Sequence, residues 1–163
     1  MPLLKRIVKY QMNLADTHVL ALELLETHKL YDWNFQFDRA KVRFGYCNYS
    51  QKIISLSRHF TELNEKKHVK DTILHEIAHA LVGKENNHNR IWKQKAHEIG
   101  CSSSRCYCPE DITTPKRKYT AICPHCEREF QRSIKRRIAC GKCCKKYNNN
   151  RYSRKFEIEF VEN

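Results

Sequence analysis

The string His75-Glu-Ile-Ala-His79 carries the most chemistry in the chain. In a helix, histidines at i and i+4 stand one above the other on one face, so both imidazoles can reach a single zinc ion. Glu76 follows His75 directly, at the edge of that face, where it can reach an activated water without ligating the metal. That arrangement suits peptide hydrolysis. Zinc lowers the pKa of its water to about 7 and polarises the scissile carbonyl, while Glu76 takes the water proton and passes it to the leaving amine. The competing reading is a chance pair on an exposed helix face, in a chain with nine His. A catalytic zinc also needs a third protein ligand and an open fourth position. His88, His97 and Glu98 are the downstream candidates. His88 falls on the stripe of Trp92, Ala96 and Ile99, whereas His97 lies about 180° round the helix at roughly 100° per residue and points outward. Glu98 has no second motif beside it. His88 is the expected third ligand.

A second ligand set lies in the last third. Cys123-Pro-His-Cys126 and Cys140-Gly-Lys-Cys143 are two Cys-x-x-Cys knuckles separated by 13 residues. Four thiolates on two tight turns form a structural zinc site of the ribbon type, and Pro124 and Gly141 suit such turns. A module of about 45 residues has too little core to fold unaided, so the metal contributes its folding free energy. One catalytic and one structural zinc are therefore expected. The odd total of nine Cys argues against a disulfide framework. Cys144 reads as a spare thiol, Cys101, Cys106 and Cys108 as linker or packing cysteines, and His125 as a loop residue.

The charge sits beside those knuckles. The chain has 163 residues and a net charge of +13, with 31 Lys+Arg against 18 Asp+Glu. Residues 116–155 hold 14 of the basic side chains and only Glu127 and Glu129 of the acidic ones, a local excess of +12. Arg132, Lys135, Arg136, Arg137, Lys145 and Lys146, interleaved with Phe130, Tyr147 and Tyr152, suit phosphate contacts with base stacking. Arg136 and Arg137 lead that set. A solvated charged face is the plainer alternative. Nothing suggests base-specific readout, so sequence-independent binding of nucleic acid is expected.

The elements that must position these residues follow from periodicity. Leu14 to Leu30 is helix-forming, with Leu20 and Leu24 one turn apart. Trp33, Phe35 and Phe37 alternate with polar residues as in a half-buried strand, followed by strand candidates at Val42, Phe44 and Tyr46 and at Ile54 and Leu56. Short connections favour an antiparallel meander. A second helix begins between Asn64 and Val69 and runs to Val82, with Val69, Ile73, Ile77, Ala80 and Leu81 inward and Gly83 as a left-handed cap. A third runs from near His88, capped by Asn86 or Asn87, to Gly100. Residues 101 to about 118 read as a linker, and Phe156, Ile158 and Phe160 as a closing strand. The fold class is α+β: helices on a small antiparallel sheet over residues 1–110, then a basic four-cysteine zinc ribbon over 111–163.

At 40% apolar and 30% charged, the chain is neither membrane-spanning nor low-complexity. No stretch of about 18 apolar residues occurs. Met1 to Tyr10 interrupts its apolar residues with basic ones, unlike a secretory signal. An intracellular monomer is expected, in a cytoplasm and nucleoid or in a nucleus.

Asp71-Thr-Ile-Leu-His-Glu-Ile-Ala-His-Ala-Leu-Val-Gly83, then Asn87-His88-Asn89-Arg-Ile-Trp-Lys93, resembles the SprT-like (Spartan) metalloprotease domain. The segments around Gly45-Tyr-Cys-Asn-Tyr and Ile53-Ile-Ser-Leu-Ser57 and the Cys-x-x-Cys tail resemble it too, so the likeness spans about residues 12–145. The family's third His has glycine on both sides, where this chain has Asn87 and Asn89. The resemblance implies a gluzincin-like core, zinc ligands at His75, His79 and His88, and Glu76 as catalytic acid and base. It also implies an endopeptidase that cuts proteins bound or crosslinked to DNA. A non-catalytic nucleic-acid-binding protein with a structural or vestigial His-Glu-x-x-His site is the alternative. A third is an ordinary peptidase whose basic tail only aids solubility.

Overall fold

The structure is a computed structural model, and it describes residues 12–102 and 112–163. The chain divides into two compact units, with the break between Pro115 and Lys116. The domain boundary expected at 110/111, Cys106, Cys108 and the Met1–Tyr10 segment lie outside the described residues.

The first unit starts with α1 (Leu14–Thr27), where the Asn13 side chain accepts a hydrogen bond from the Asp16 backbone N–H at 2.8 Å. That contact satisfies one of the free donors at the helix start. Then come β1 (Asn34–Asp38), β2 (Gly45–Asn48) and β3 (Ile53–Ser57). The sheet is mixed, in the order β1-β3-β2, with β1 parallel and β2 antiparallel to β3. The expected antiparallel meander is therefore corrected. Residues 39–44 carry the chain past β3's position, so β3 returns between its predecessors. Both its neighbours then shield it, and Ile54 and Leu56 are fully buried, worth about 1.5–3 kcal/mol each. The phase of β2 differs as well. Cys47 points inward and Tyr46 is half exposed, while Phe44 precedes the strand and stacks on Phe60 at 4.2 Å.

Two helices follow β3 directly. The short α2 (Arg58–Leu63), unforeseen in the sequence, is capped by the Ser57 hydroxyl, which accepts from the Phe60 N–H at 3.2 Å. Next, α3 (Lys66–Val82) carries Val69, Ile73 and Ile77, all fully buried against Ala21, Leu25, Phe35, Leu56 and Phe60. Its other side packs Leu74 and Ala78 against Trp92, Ala96 and Cys101. Gly83 ends the helix at φ +83°, ψ 164°, a positive-φ but extended conformation rather than a left-handed helical one. Finally, α4 (Arg90–Glu98) is capped by Asn89, whose side chain accepts from the Trp92 N–H at 3.1 Å. Asn89, not Asn86 or Asn87, is the cap. His88 thus lies before the helix, at φ +52°.

The residues flanking the 103–111 segment are tied to the first unit. Asp71 on α3 accepts from the Ser102 N–H and hydroxyl, both at 2.7 Å. Asn64 and Thr113 exchange two hydrogen bonds of 2.8 Å.

The second unit is a three-stranded antiparallel sheet of β4 (Tyr119–Ile122), β5 (Glu129–Arg132) and β6 (Glu159–Glu162), with β4 in the middle. A helix unforeseen in the sequence, α5 (Gly141–Tyr147), starts on the second knuckle. Phe156 ends a short 3₁₀ turn, Ile158 precedes β6 and Phe160 lies within it. No helix among the described residues is long and apolar enough to cross a membrane.

Candidate metal centres

Because α3 is gripped on two sides by apolar clusters, its remaining face turns His75, Glu76 and His79 toward β2 and the loop before α4. Three imidazoles meet there. His88 Nε2 lies 3.0 Å from His75 Nε2 and 3.2 Å from His79 Nε2. One ring proton cannot satisfy three nitrogens aimed at the same point, and what remains is a set of converging lone pairs. With metal–nitrogen bonds of about 2.0–2.1 Å, a tetrahedron has edges close to those separations. The positive φ of His88 turns its ring back into the cluster. The structure brings His88 to the cluster through a loop conformation rather than the expected helical stripe. His97 and Glu98 lie exposed on α4, with Glu98 paired to Lys95, and neither joins the cluster.

Burial holds the site in ligand-ready form. It pushes His75 and His79 down to about 4, each further lowered by neighbouring histidines, so both rings are neutral at pH 7. Burial also pushes Glu76 up to about 8, against the pull of Arg43. Trp92 is fully buried beneath the cluster, its ring centre 4.6–5.1 Å from all three imidazoles. Among the described residues its Nε1 has no hydrogen-bond partner. The cluster opens on a cavity of about 430 Å³ whose wall includes Tyr46, Cys47, Tyr49, Lys84 and Asn87. In the sequence, residues 46–49 are legible only as strand, and Lys84 and Asn87 carry no spacing signal. Cys47 is buried, which pushes its thiol up to about 12.

The four ribbon cysteines also converge. Cys123 and Cys143 Sγ are 3.8 Å apart, as are Cys126 and Cys140 Sγ. A tetrahedron with metal–sulfur bonds of about 2.3 Å has edges near that length. The expected set of Cys123, Cys126, Cys140 and Cys143 is the set brought together. Chiefly the Arg128 backbone N–H pulls the Cys126 thiol down to about 7. His125 Nδ1 lies 3.5 Å from Cys143 Sγ, with its ring packed on Tyr147 and Phe156. Cys144 is buried in the ribbon core, and Cys101 is buried in the first unit, its thiol donating to the Asp71 carbonyl at 3.7 Å.

The six basic candidates are all exposed. Lys135, Arg136 and Arg137 line one shallow cavity of about 290 Å³ with Glu157, Ile158 and Phe160. There Arg137 is already engaged, its Nε donating to Glu157 at 3.0 Å. Lys135 lies over the Tyr119 ring at 4.9 Å, Arg132 over Phe130 at 4.6 Å and Lys146 over Tyr147 at 5.0 Å. Lys145 is on α5 beside Lys146.

Comparison with known proteins bears on the first unit. No curated protein matches the chain. Among solved structures, the metallopeptidase zymogen jannalysin of Methanocaldococcus jannaschii is similar over 59% of this chain and 86% of its own, at 16% identity and a TM-score of 0.46. The model of the SprT-like family matches residues 14–114, a span that holds the helix α3, the loop of His88 and the whole histidine cluster. The chain belongs to the SprT-like family.

Proposed function

We propose that the protein is a zinc-dependent endopeptidase that cleaves proteins bound or crosslinked to DNA. The observation that carries the catalytic half is the convergence of the His75, His79 and His88 Nε2 atoms beside a buried carboxylate on an open cavity. Three nitrogen donors with one side open fit a catalytic zinc, and four thiols in a closed core fit a structural one. Zinc bound at the histidines would supply Lewis acidity, activating water and polarising the scissile carbonyl.

The remaining work falls to the chain's own groups. Glu76, whose ionised form a cation at the histidines would favour, accepts the proton from the attacking water at its carboxylate and delivers it to the leaving amine nitrogen as the C–N bond breaks. The Asn87 side-chain amide, on the cavity wall, can hydrogen-bond the peptide backbone of the substrate. The ribbon supplies the second half of the reading. Its exposed Lys135, Arg136, Lys145, Lys146 and Arg132 contact phosphates, and its aromatic rings stack bases without selecting among them. Pairing with Glu157 makes Arg137 the weakest of the six.

The test is proteolysis of a DNA-binding protein, with and without DNA, by the wild type and by Glu76→Gln. The expected result is metal-dependent cleavage stimulated by DNA and lost in Glu76→Gln with metal still bound. Undiminished cleavage by that variant refutes the mechanism, and cleavage indifferent to DNA refutes the substrate class.

A further inference from the structure

Gly45 opens β2, and nothing in its backbone requires glycine: unlike Gly83 and Gly100, it does not have a positive φ. Glycine within a strand weakens it and often marks a place where another group approaches closely. Here that group is Glu76. A Cβ placed on residue 45 would lie 2.6 Å from Glu76 Oε1, 2.8 Å from its Cγ and 3.0 Å from its Cδ, the first two closer than real Cβ atoms approach. The Cγ contact matters most, because rotating the carboxylate end alone does not relieve it. Glu76 is only 7% exposed and shares the cavity wall with Gly45, so a struck carboxylate can yield only by swinging into the cavity, out of its seat.

We propose that Gly45 is a positioning residue for Glu76: the space of its missing side chain is the seat that holds the carboxylate beside the three imidazoles. The inference rests on the protease reading for its catalytic consequence, but not for the seat itself. Its register partner, Leu56 on β3, is fully buried, so β2 cannot move away at this point without opening the core. A methyl group at 45 must therefore displace the glutamate rather than the strand.

Two measurements test this. In kinetics, Gly45→Ala lowers kcat by at least ~100-fold, the scale of lost general acid–base catalysis, with KM within a few-fold of wild type and metal content unchanged. In stability, a double-mutant cycle compares Gly45→Ala alone with Gly45→Ala in a Glu76→Ala background, where Cγ, Cδ and both oxygens are gone. Gly45→Ala destabilises the wild type and costs little in that background. If the single variant does not fold, the double variant folds. Equal destabilisation in both backgrounds, a double variant that fails to fold, or wild-type kcat in Gly45→Ala overturns the seat. Undiminished activity of Glu76→Gln overturns the protease reading instead, and leaves the stability cycle to decide the packing relation alone.

Discussion

The histidine cluster opens on a cavity of about 430 Å³ and has a buried carboxylate beside it, whereas the cysteine cluster is itself the core of its unit. Around the histidines, α3 and α4 are already held by large apolar side chains: Phe35, Leu56, Phe60, Ile73 and Ile77 on one side, Trp92 on the other. Around the thiols, the buried residues are Ala121, Phe156, Ile158 and the cysteines themselves, with Cys144 among them. One unit has an apolar core beside its candidate metal site; in the other the candidate ligands are themselves much of the core. Donor chemistry follows the same division, with nitrogen ligands leaving a side open for reaction and sulfur ligands closing the shell.

The sharpest way to break that contrast is to remove the metal or a thiol from the ribbon. Strong chelation, or Cys140→Ser, costs the second unit on the order of 10 kcal/mol and unfolds it, while amide exchange in residues 12–102 stays slow. Protected ribbon amides after chelation would erase the distinction. Next in size, Trp92→Ala opens a cavity beneath the imidazoles and destabilises the first unit by about 3–5 kcal/mol. The ribbon amides should be unchanged, because each unit carries its own core.

A smaller effect appears in the pH dependence of the metal-free first unit. His75 and His79 titrate near 4 when folded against 6.5 unfolded, so the unfolded chain binds more protons between those values and stability rises with pH there. Glu76 runs the other way. Its folded carboxyl titrates near 8 against 4.5 unfolded, so stability falls as pH rises through that interval. Two groups outweigh one below pH 6.5, and Glu76 acts alone above it. Thermal melts should therefore peak near pH 6.5, with a decline above it that is absent in Glu76→Gln. A monotonic rise to pH 8 in the metal-free wild type would contradict this. Smallest of all, Lys135→Glu or Arg136→Glu weakens DNA binding and lowers its salt slope by about 0.9 per lost phosphate contact. Cleavage of a short free peptide should not change, and a parallel loss there would tie the ribbon to catalysis.

What the sequence makes legible divides along locality. His75, Glu76 and His79 sit within about one turn of one helix, and each knuckle spans four residues, so spacing alone brings the side chains together. The mixed order of the first sheet depends on which strands pair across the chain, Asn34 with Ile53 for instance, and period-2 alternation at Phe35 and Phe37 carries no information about that. His88 is expected as a helical residue and sits in the cluster as a loop residue, because Asn89 takes the cap and a single positive φ redirects the ring. The role of Gly45 is not legible at all. Its meaning lies in Glu76, far along the chain, whose atoms a side chain at 45 would have struck.

The chain has two tryptophans, Trp33 and Trp92, and both belong to the first unit. The ribbon has no tryptophan. With its indole against all three imidazoles and out of water, Trp92 is a built-in optical gauge of that site. Loading with cobalt, whose d–d absorption accepts energy from excited indole, should quench its emission as the histidines fill. The filling of that site thereby becomes readable without a label.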